Sequence, residues 1–155
     1  MAVKKKPTKV RAIVNRRASF DYTLDDELVT GVVLTGREAR AARDSRVQLK
    51  GSYVTIRNNE LYLNNASFSI VLNSKTEGTS VDTSPRKLLA SRKQIDELAE
   101  RKTAGMSIVP LKLLTQGKYI KLVIALGKGK KNYDKRQTIK LRDQSRDSRN
   151  LTRGL

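Results

Sequence analysis

The positive charge of this chain is concentrated at its two ends, which leaves one stretch of sequence that can fold. Residues 1–17 carry seven basic side chains and no acid, and residues 128–155 carry ten basic side chains against three acids. The 110 residues between them hold 16 basic and 12 acidic groups, so their charges nearly balance. Because blocks of like charge repel one another and stay solvated, we expect a basic N-terminal arm at 1–17, a folded core at 18–127 and a basic tail at 128–155.

The composition points to a polyanion as the partner and excludes several other functions. The formal net charge is +18, and hydrophobic residues make up 37% of the chain, enough for one modest core. The chain has no Cys and no His, which excludes disulfides, thiolate or imidazole metal sites and a Ser-His-Asp triad. No apolar run reaches the roughly 20 residues that span a bilayer, and no signal-peptide core follows the basic start. We therefore expect a cytoplasmic, membrane-free protein without a cofactor.

Short β-rich segments dominate the core. Strands are predicted at 20–24, at 27–34 with a bulge or bend at Gly31, at 52–57 and 60–63 around an Asn58-Asn59 turn, and at 107–115 and 118–126 around Gln116-Gly117. Helices are predicted at 36–43 and at 85–99, the second with Ser84 as N-cap, Pro85 in its first turn and Gly105 closing its end. Residues 73–84 are predicted to form a mobile loop.

About six strands with two helices indicate a mainly β (α+β) protein. Closure of the strands into a barrel would remove the exposed sheet edges. An OB-type antiparallel β-barrel with short flanking helices and a basic C-terminal tail fits both the length and the charge. Composition leaves another small β-barrel open.

The tail carries a ladder of cations if it is helical. At 100° per residue, five basic residues fall within about 60° of one another, whereas the three acids lie off that line. These five are Lys135, Arg142, Arg146, Arg149 and Arg153. The segment has no apolar stripe to bury, so we expect it to be frayed when free and ordered against phosphates. The alternative is a solvated tail whose helical phase is accidental.

Two further signals lie where the core meets the tail. Residues 127–131, GKGKK, could cradle a phosphate, but they lack the spacing of a nucleotide-hydrolysing P-loop. A backbone hinge with three lysines aimed at RNA is the favoured interpretation. Tyr133 lies among basic residues beyond the last strand, so it either stacks on a base or folds back onto the barrel.

The junction also resembles a known family. Residues 129–140, GKKNYDKRQTIK, closely resemble the signature GKKxxDKRxxIK of the small protein B family, the tmRNA-binding proteins of bacterial ribosome rescue. Further resemblances follow in order along nearly the whole chain: NRRA at 15–18 with Asp21-Tyr22 behind it, GRE at 36–38, SYV at 52–54, PRKLL at 85–89 and VPLKL at 109–113. Phe20, Val29, Ser91 and Tyr133 depart from residues common in the family.

The resemblance implies an OB-type barrel that binds the tRNA-like domain of tmRNA near its elbow and catalyses nothing. On that basis, tmRNA contacts are expected from Asn15, Arg16, Arg17, Tyr22, Glu38, Arg43, Lys87, Leu89, Ser91, Lys128 and Lys130. For Glu38, an acid in an RNA binder, the expected task is to orient a basic neighbour or to accept a base amino group.

The resemblance also implies the ribosome as a second partner, with elongation factor Tu reached indirectly through tmRNA. The tail would replace the missing codon–anticodon helix in the decoding centre and continue as a helix along the empty mRNA channel. Decoding-centre contacts are expected from Lys131, Tyr133, Asp134, Lys135 and Arg136, with Asp134 bracing a cation. Channel contacts are expected from Arg142, Arg146, Arg149 and Arg153. We expect a monomer.

Two other functions fit the residues. A ribosomal or general single-strand RNA-binding protein on the same barrel would bind unstructured RNA as well as a folded elbow. An RNA-cleaving enzyme would need paired carboxylates for metal ions, and the acidic groups at 25–27 and 96–97 look like a solvated turn and a helix face.

Overall fold

The computed structural model describes residues 12–73 and 76–154. Ten strands and four helices follow one another in these ranges. In chain order they are β1 Ala12–Val14, α1 Arg16–Asp21, β2 Tyr22–Val32, α2 Gly36–Arg43, β3 Val47–Gln48, β4 Tyr53–Arg57, β5 Glu60–Asn64, β6 Ser67–Asn73, β7 Thr76–Asp82, β8 Arg86–Leu89, α3 Arg92–Arg101, β9 Met106–Leu114, β10 Lys121–Gly129 and α4 Asn132–Arg153.

Six strands close into an antiparallel barrel. The hydrogen-bonded order is β9-β10-β2-β8-β5-β4, and a β4–β9 pairing between Val54 and Ile108 closes the ring. Strand β1 pairs with the C-terminal part of β9, along the edge opposite β10. The barrel encloses the main core, whose most buried members include Leu61, Leu122 and Ile124. This confirms the predicted antiparallel barrel, and Asn58 and Asn59 turn the β4–β5 hairpin with φ of 50° and 61° as expected.

The two N-terminal strands expected from the sequence are one strand with a bulge. Ala125 of β10 pairs with Glu27, but Gly127 pairs with Leu24, so β2 carries one extra residue between those pairs. The extra residue inverts the alternation of side chains along β2. Leu24 therefore packs outside the barrel, whereas Leu28 packs against the main core. The predicted bulge at Gly31 was wrong: a Cβ there would lie 3.2 Å from the Leu89 Cβ, so that glycine permits close approach of β8.

Strand β10 is buried on both faces because helix α1 covers its outer side. Ala18 of α1 packs on Val109, Val123 and Ala125, which form a second small core outside the barrel. The sequence pattern predicted one buried face only, and residue 20 was expected in a strand but lies in α1. Residues 12–17 of the predicted arm thus belong to β1 and α1, while residues 1–11 lie outside the described residues.

The predicted loop at 73–84 contains an edge strand. Strand β7 pairs with β6, which also pairs with β3, to form a three-stranded sheet beside the barrel. The polar composition of this segment suits a solvated edge, which is why it resembles a loop in sequence.

The predicted helix at 85–99 begins later than expected. Residues 86–89 form β8, which fills the barrel between β2 and β5. Ser91 is the N-cap of α3 and forms a capping box with Gln94. Helix α3 ends at Arg101, so Gly105, with φ of 82°, belongs to the turn into β9. Ser84-Pro85 is a turn signal that precedes a strand.

The tail is one continuous helix of 22 residues, and none of its side chains is buried. Within the described ranges, no helix is both long and apolar enough to cross a lipid bilayer.

Candidate RNA interface

One outer side of the barrel presents an apolar groove. Leu89 projects outward from β8 and is 54% exposed, and its neighbours across β2 and the β9–β10 turn are Val29 and Tyr119. These side chains and Lys121 line a groove of about 350 Å³. We call this groove and the outward-facing side chains of β5 and β8 beside it the sheet face.

Aromatic and basic side chains surround the groove. Tyr119 is exposed, and the Lys118 ammonium lies 5.4 Å from the centre of its ring. On the β5 side, Tyr62 stands directly opposite Lys87 in the strand register. Exposed aromatic rings offer stacking surfaces for bases, and flanking lysines attract the phosphates. The sheet face is therefore built like a nucleic-acid platform on a barrel.

Lys87, an expected RNA contact, is held by the carboxylate of Glu60 from the same chain. Its ammonium donates a hydrogen bond of 2.7 Å to Glu60 Oε1, and the Tyr62 hydroxyl donates one of 2.7 Å to Glu60 Oε2. These two bonds hold the pKa of the Glu60 carboxyl below its ordinary value. The same carboxylate raises the pKa of Lys87 and of the Tyr62 phenol.

Glu38 lies inside the protein rather than on the RNA-facing surface. Its Oε1 accepts a hydrogen bond of 3.2 Å from Arg86 Nη2, and its Oε2 accepts one of 3.0 Å from the Thr35 N–H in a capping box. Arg86 also donates to backbone carbonyls and lies 3.9 Å from the Phe68 ring centre. Orienting an arginine is therefore the task the geometry supports for Glu38.

Several other expected contacts have structural partners. Asn15 is buried and donates 2.9 Å to the carbonyl of Pro110, which sits at a bulge in β9. Arg43 donates to three carbonyls at the β9–β10 turn, and Ser91 caps α3. Tyr22 packs on the second core. A Cβ added at Gly127 would lie 2.9 Å from the Cβ of Tyr22.

The proposed hinge at 127–131 is a strand end. Gly127 and Lys128 belong to β10 and pair with β2, and Lys130 Nζ donates a hydrogen bond of 3.1 Å to the Ser19 carbonyl. Lys131 is the N-cap of α4. The glycines in this segment thus serve close packing and the strand exit, and Lys128 remains exposed.

Tyr133 is 59% exposed and does not fold back onto the barrel. The neighbouring Asp134 carboxylate raises the pKa of the Tyr133 phenol. That Asp134 braces a cation stays a prediction. Lys131 and Arg136 are exposed beside it.

The first half of the cation ladder lies over α1. Lys135 Nζ is 3.4 Å from Asp21 Oδ1, and the Arg142 guanidinium lies 6.0 Å from the Phe20 ring centre. Arg17 approaches the same ring at 5.5 Å. Between α1 and α4 opens a cleft of about 870 Å³ that Arg16, Arg17, Lys112, Arg142 and Arg146 line. Arg149 and Arg153 extend beyond it into solvent.

The comparisons with known proteins agree with this architecture. A family model described as SmpB protein matches residues 12–154. This chain belongs to the SmpB family. Similar relatives include the SsrA-binding proteins of Streptococcus pneumoniae strains Hungary19A-6 and ATCC BAA-255 / R6, each 42% identical over 137 residues, which is 86% of either chain.

A solved structure is similar as well. It is described as "tmRNA-SmpB: a journey to the center of the bacterial ribosome", and its matching chain is 31% identical with a TM-score of 0.61, covering 78% of this chain and 85% of that one. SmpB proteins bind RNA and are not enzymes, which confirms that expectation for this chain.

The carboxylates that an RNA-cleaving enzyme would need are engaged elsewhere. Arg101 Nη2 lies 3.2 Å from Asp25 Oδ2 and 3.5 Å from Asp26 Oδ2. In residues 12–73 and 76–154, no group of three or more acidic side chains is placed to hold a metal ion.

Val29, Tyr119 and Lys121 line the groove but were not among the contacts expected from the sequence. Outward positions alternate with buried ones along β2, so this pattern would have placed Val29 on the solvated face. Apolar residues that cluster on such a face indicate a binding surface. Tyr119 and Lys121 become neighbours of Leu89 only through strand pairing, because Gly31 of β2 pairs with Lys121 on one side and with Leu89 on the other.

Proposed function

We propose that this chain binds the tRNA-like domain of tmRNA with its sheet face and delivers it to stalled ribosomes for trans-translation. The observation that carries the proposal is the groove of Leu89, Val29 and Tyr119 on a barrel of the SmpB family, bordered by lysines. A curved apolar and aromatic surface suits the unstacked bases of a folded elbow, and the lysines suit its backbone. Similar proteins are named SsrA-binding.

We further propose that α4 occupies the decoding centre and the empty mRNA channel. Tyr133 is exposed for stacking at the start of the helix, and the arginines of the ladder follow along one edge of it, where they are available to phosphates. The contacts that hold α4 over α1 are weak. A partly exposed ion pair stabilises by about 0.2–1 kcal/mol and an exposed cation–π contact by about 0.5–1 kcal/mol, so phosphates can replace them.

The remaining partners follow from this role. Elongation factor Tu would meet the chain through tmRNA, and the chain would act as a monomer in the cytoplasm. Its net charge of +18 favours rapid association with RNA and opposes self-association.

Substitutions on the sheet face test the binding site. Leu89→Ala and Tyr119→Ala should each weaken binding of the tRNA-like domain about tenfold in a gel-shift titration. Val81→Ala is the matched control, because Val81 is 63% exposed on β7, away from the groove. An unchanged affinity in both groove variants would place the site elsewhere.

Deletion of the tail separates binding from rescue. Removal of residues 131–155 should leave binding of the tRNA-like domain largely intact and abolish peptide tagging on stalled ribosomes. Loss of both activities together would show that α4 contributes to the first binding step.

A second candidate is a general single-strand RNA binder, which the exposed Tyr119 ring of the sheet face favours. Competition between a tRNA-like fold and poly-U of equal length decides between them. A specific binder prefers the folded RNA by at least tenfold.

A further inference from the structure

We propose that Glu60 sets RNA specificity at the sheet face by occupying the Lys87 ammonium, so that a phosphate without further contacts gains little there. This inference rests on the proposed function, since it concerns how the same face tells a folded RNA from any polyanion.

The geometry fixes Glu60 in this position. Glu60 begins β5 and Tyr62 pairs with Lys87 across the β5–β8 register, so all three side chains share one face of the sheet. Each carboxylate oxygen has its own donor at 2.7 Å, one from Lys87 and one from Tyr62. A carboxylate that accepts from two donors is held in place. Moving it away when a phosphate arrives would break both hydrogen bonds.

The charge arrangement makes Lys87 different from its neighbours. A phosphate that approaches Lys87 also meets the negative charge of Glu60, and the repulsion offsets most of the attraction. Arg57, paired with Glu60 across the β4–β5 register, is the other cation beside the carboxylate. Lys121 on the far side of the groove has no carboxylate within ion-pair distance among the described residues. Lys87 is thus the cation whose charge a carboxylate offsets, and Lys121 is the cation that can meet a phosphate without that repulsion.

Specificity arises because the shielding of Lys87 lowers the affinity for some ligands more than for others. An unstructured RNA binds through phosphate contacts, and each neutralised phosphate adds about 0.7 to its salt slope. A folded RNA that fills the groove at Leu89 also gains apolar and stacking contacts, so a shielded Lys87 affects it proportionally less. Glu60 therefore raises specificity because it weakens the binding of unstructured RNA more than that of the folded RNA.

The Glu60→Gln variant tests this inference. It retains the size of the side chain and an oxygen that can accept from Tyr62, but it releases Lys87. We expect the affinity for poly-U to rise about three- to tenfold and its salt slope to steepen by about 0.7, while the affinity for the tRNA-like domain rises by a smaller factor, so that the preference for the folded RNA falls. The control Glu100→Gln removes the same charge from the exposed surface of α3 and should change neither.

Two further measurements locate the effect. In Glu60→Gln/Lys87→Met the gain for poly-U should vanish, because it acts through the ammonium, and thermal unfolding checks that both variants fold. An unchanged or weakened poly-U affinity in Glu60→Gln overturns the inference. If the wild-type chain shows no preference for the tRNA-like domain while Glu60→Gln still gains poly-U affinity through Lys87, the proposed function fails and the shielding by Glu60 stands.

Discussion

Replacement of Glu38 should destabilise this protein rather than disarm its RNA site. Glu38→Ala leaves the Arg86 guanidinium, whose side chain is 3% exposed, without the carboxylate that now lies 3.2 Å away. Removing one partner of a buried ion pair destabilises proteins by about 3–5 kcal/mol. Asp82, at 3.7 Å and partly exposed, retains some compensation, so we expect about 3 kcal/mol. That is a large share of the 5–15 kcal/mol typical of a folded domain.

Urea denaturation followed by circular dichroism measures the loss, and a binding titration on the folded fraction measures RNA affinity. Glu38→Gln retains an acceptor for the Thr35 N–H and removes only the charge, so it should lose less stability than Glu38→Ala. Glu97→Ala, on the exposed surface of α3, should stay within about 0.5 kcal/mol of the wild type. A Glu38→Ala protein of normal stability with weakened RNA binding would refute this reasoning and return Glu38 to the interface.

Three other expectations concern the tail and the effect of pH. Tyr133→Ala should reduce peptide tagging about ten- to hundredfold, whereas Tyr133→Phe, which retains the ring, should retain most of it; equal losses would exclude stacking. A Gln144→Pro helix break should impair tagging as severely as replacement of all four ladder arginines by Ala, and normal tagging by the Pro variant would show that the helix is dispensable. Hydrogen bonds from Ser84 hold the pKa of the Asp82 carboxyl below its ordinary value, so its stabilising effect is present at neutral pH and is lost as the pH falls through that lowered pKa. Urea titrations should therefore show a smaller acid-induced loss of stability in Asp82→Asn than in the wild type, and identical losses would contradict the assignment.

The barrel was predictable because its signals are local. Asn58-Asn59 turns a hairpin, and Leu122 and Ile124 alternate with exposed or differently packed residues along one strand. What the sequence could not show is decided by distant contacts. Val123 appears outward-facing until α1 covers it, and the bulge in β2 appears only when Gly127 is seen opposite Leu24.

The RNA contacts expected from the sequence stay predictions, but the structure shows which of them also hold the fold. Resemblance marks Glu38, Asn15 and Ser91 as important but does not separate a residue that holds the fold from one that touches RNA. Their buried or capping hydrogen bonds show that all three help to hold the fold. Leu89 and Lys87 lie on the sheet face, but the groove beside them depends on Tyr119, which lies 30 residues after Leu89 in sequence.

The most direct test of the account is where the bound RNA lies on the barrel. A photo-crosslinking amino acid at position 119 or, as the control, at position 81 can be irradiated in complex with tmRNA. The account predicts crosslinks from position 119 to the tRNA-like domain and none above background from position 81. A stable complex that crosslinks from position 81 and not from position 119 would contradict the sheet face as the binding site.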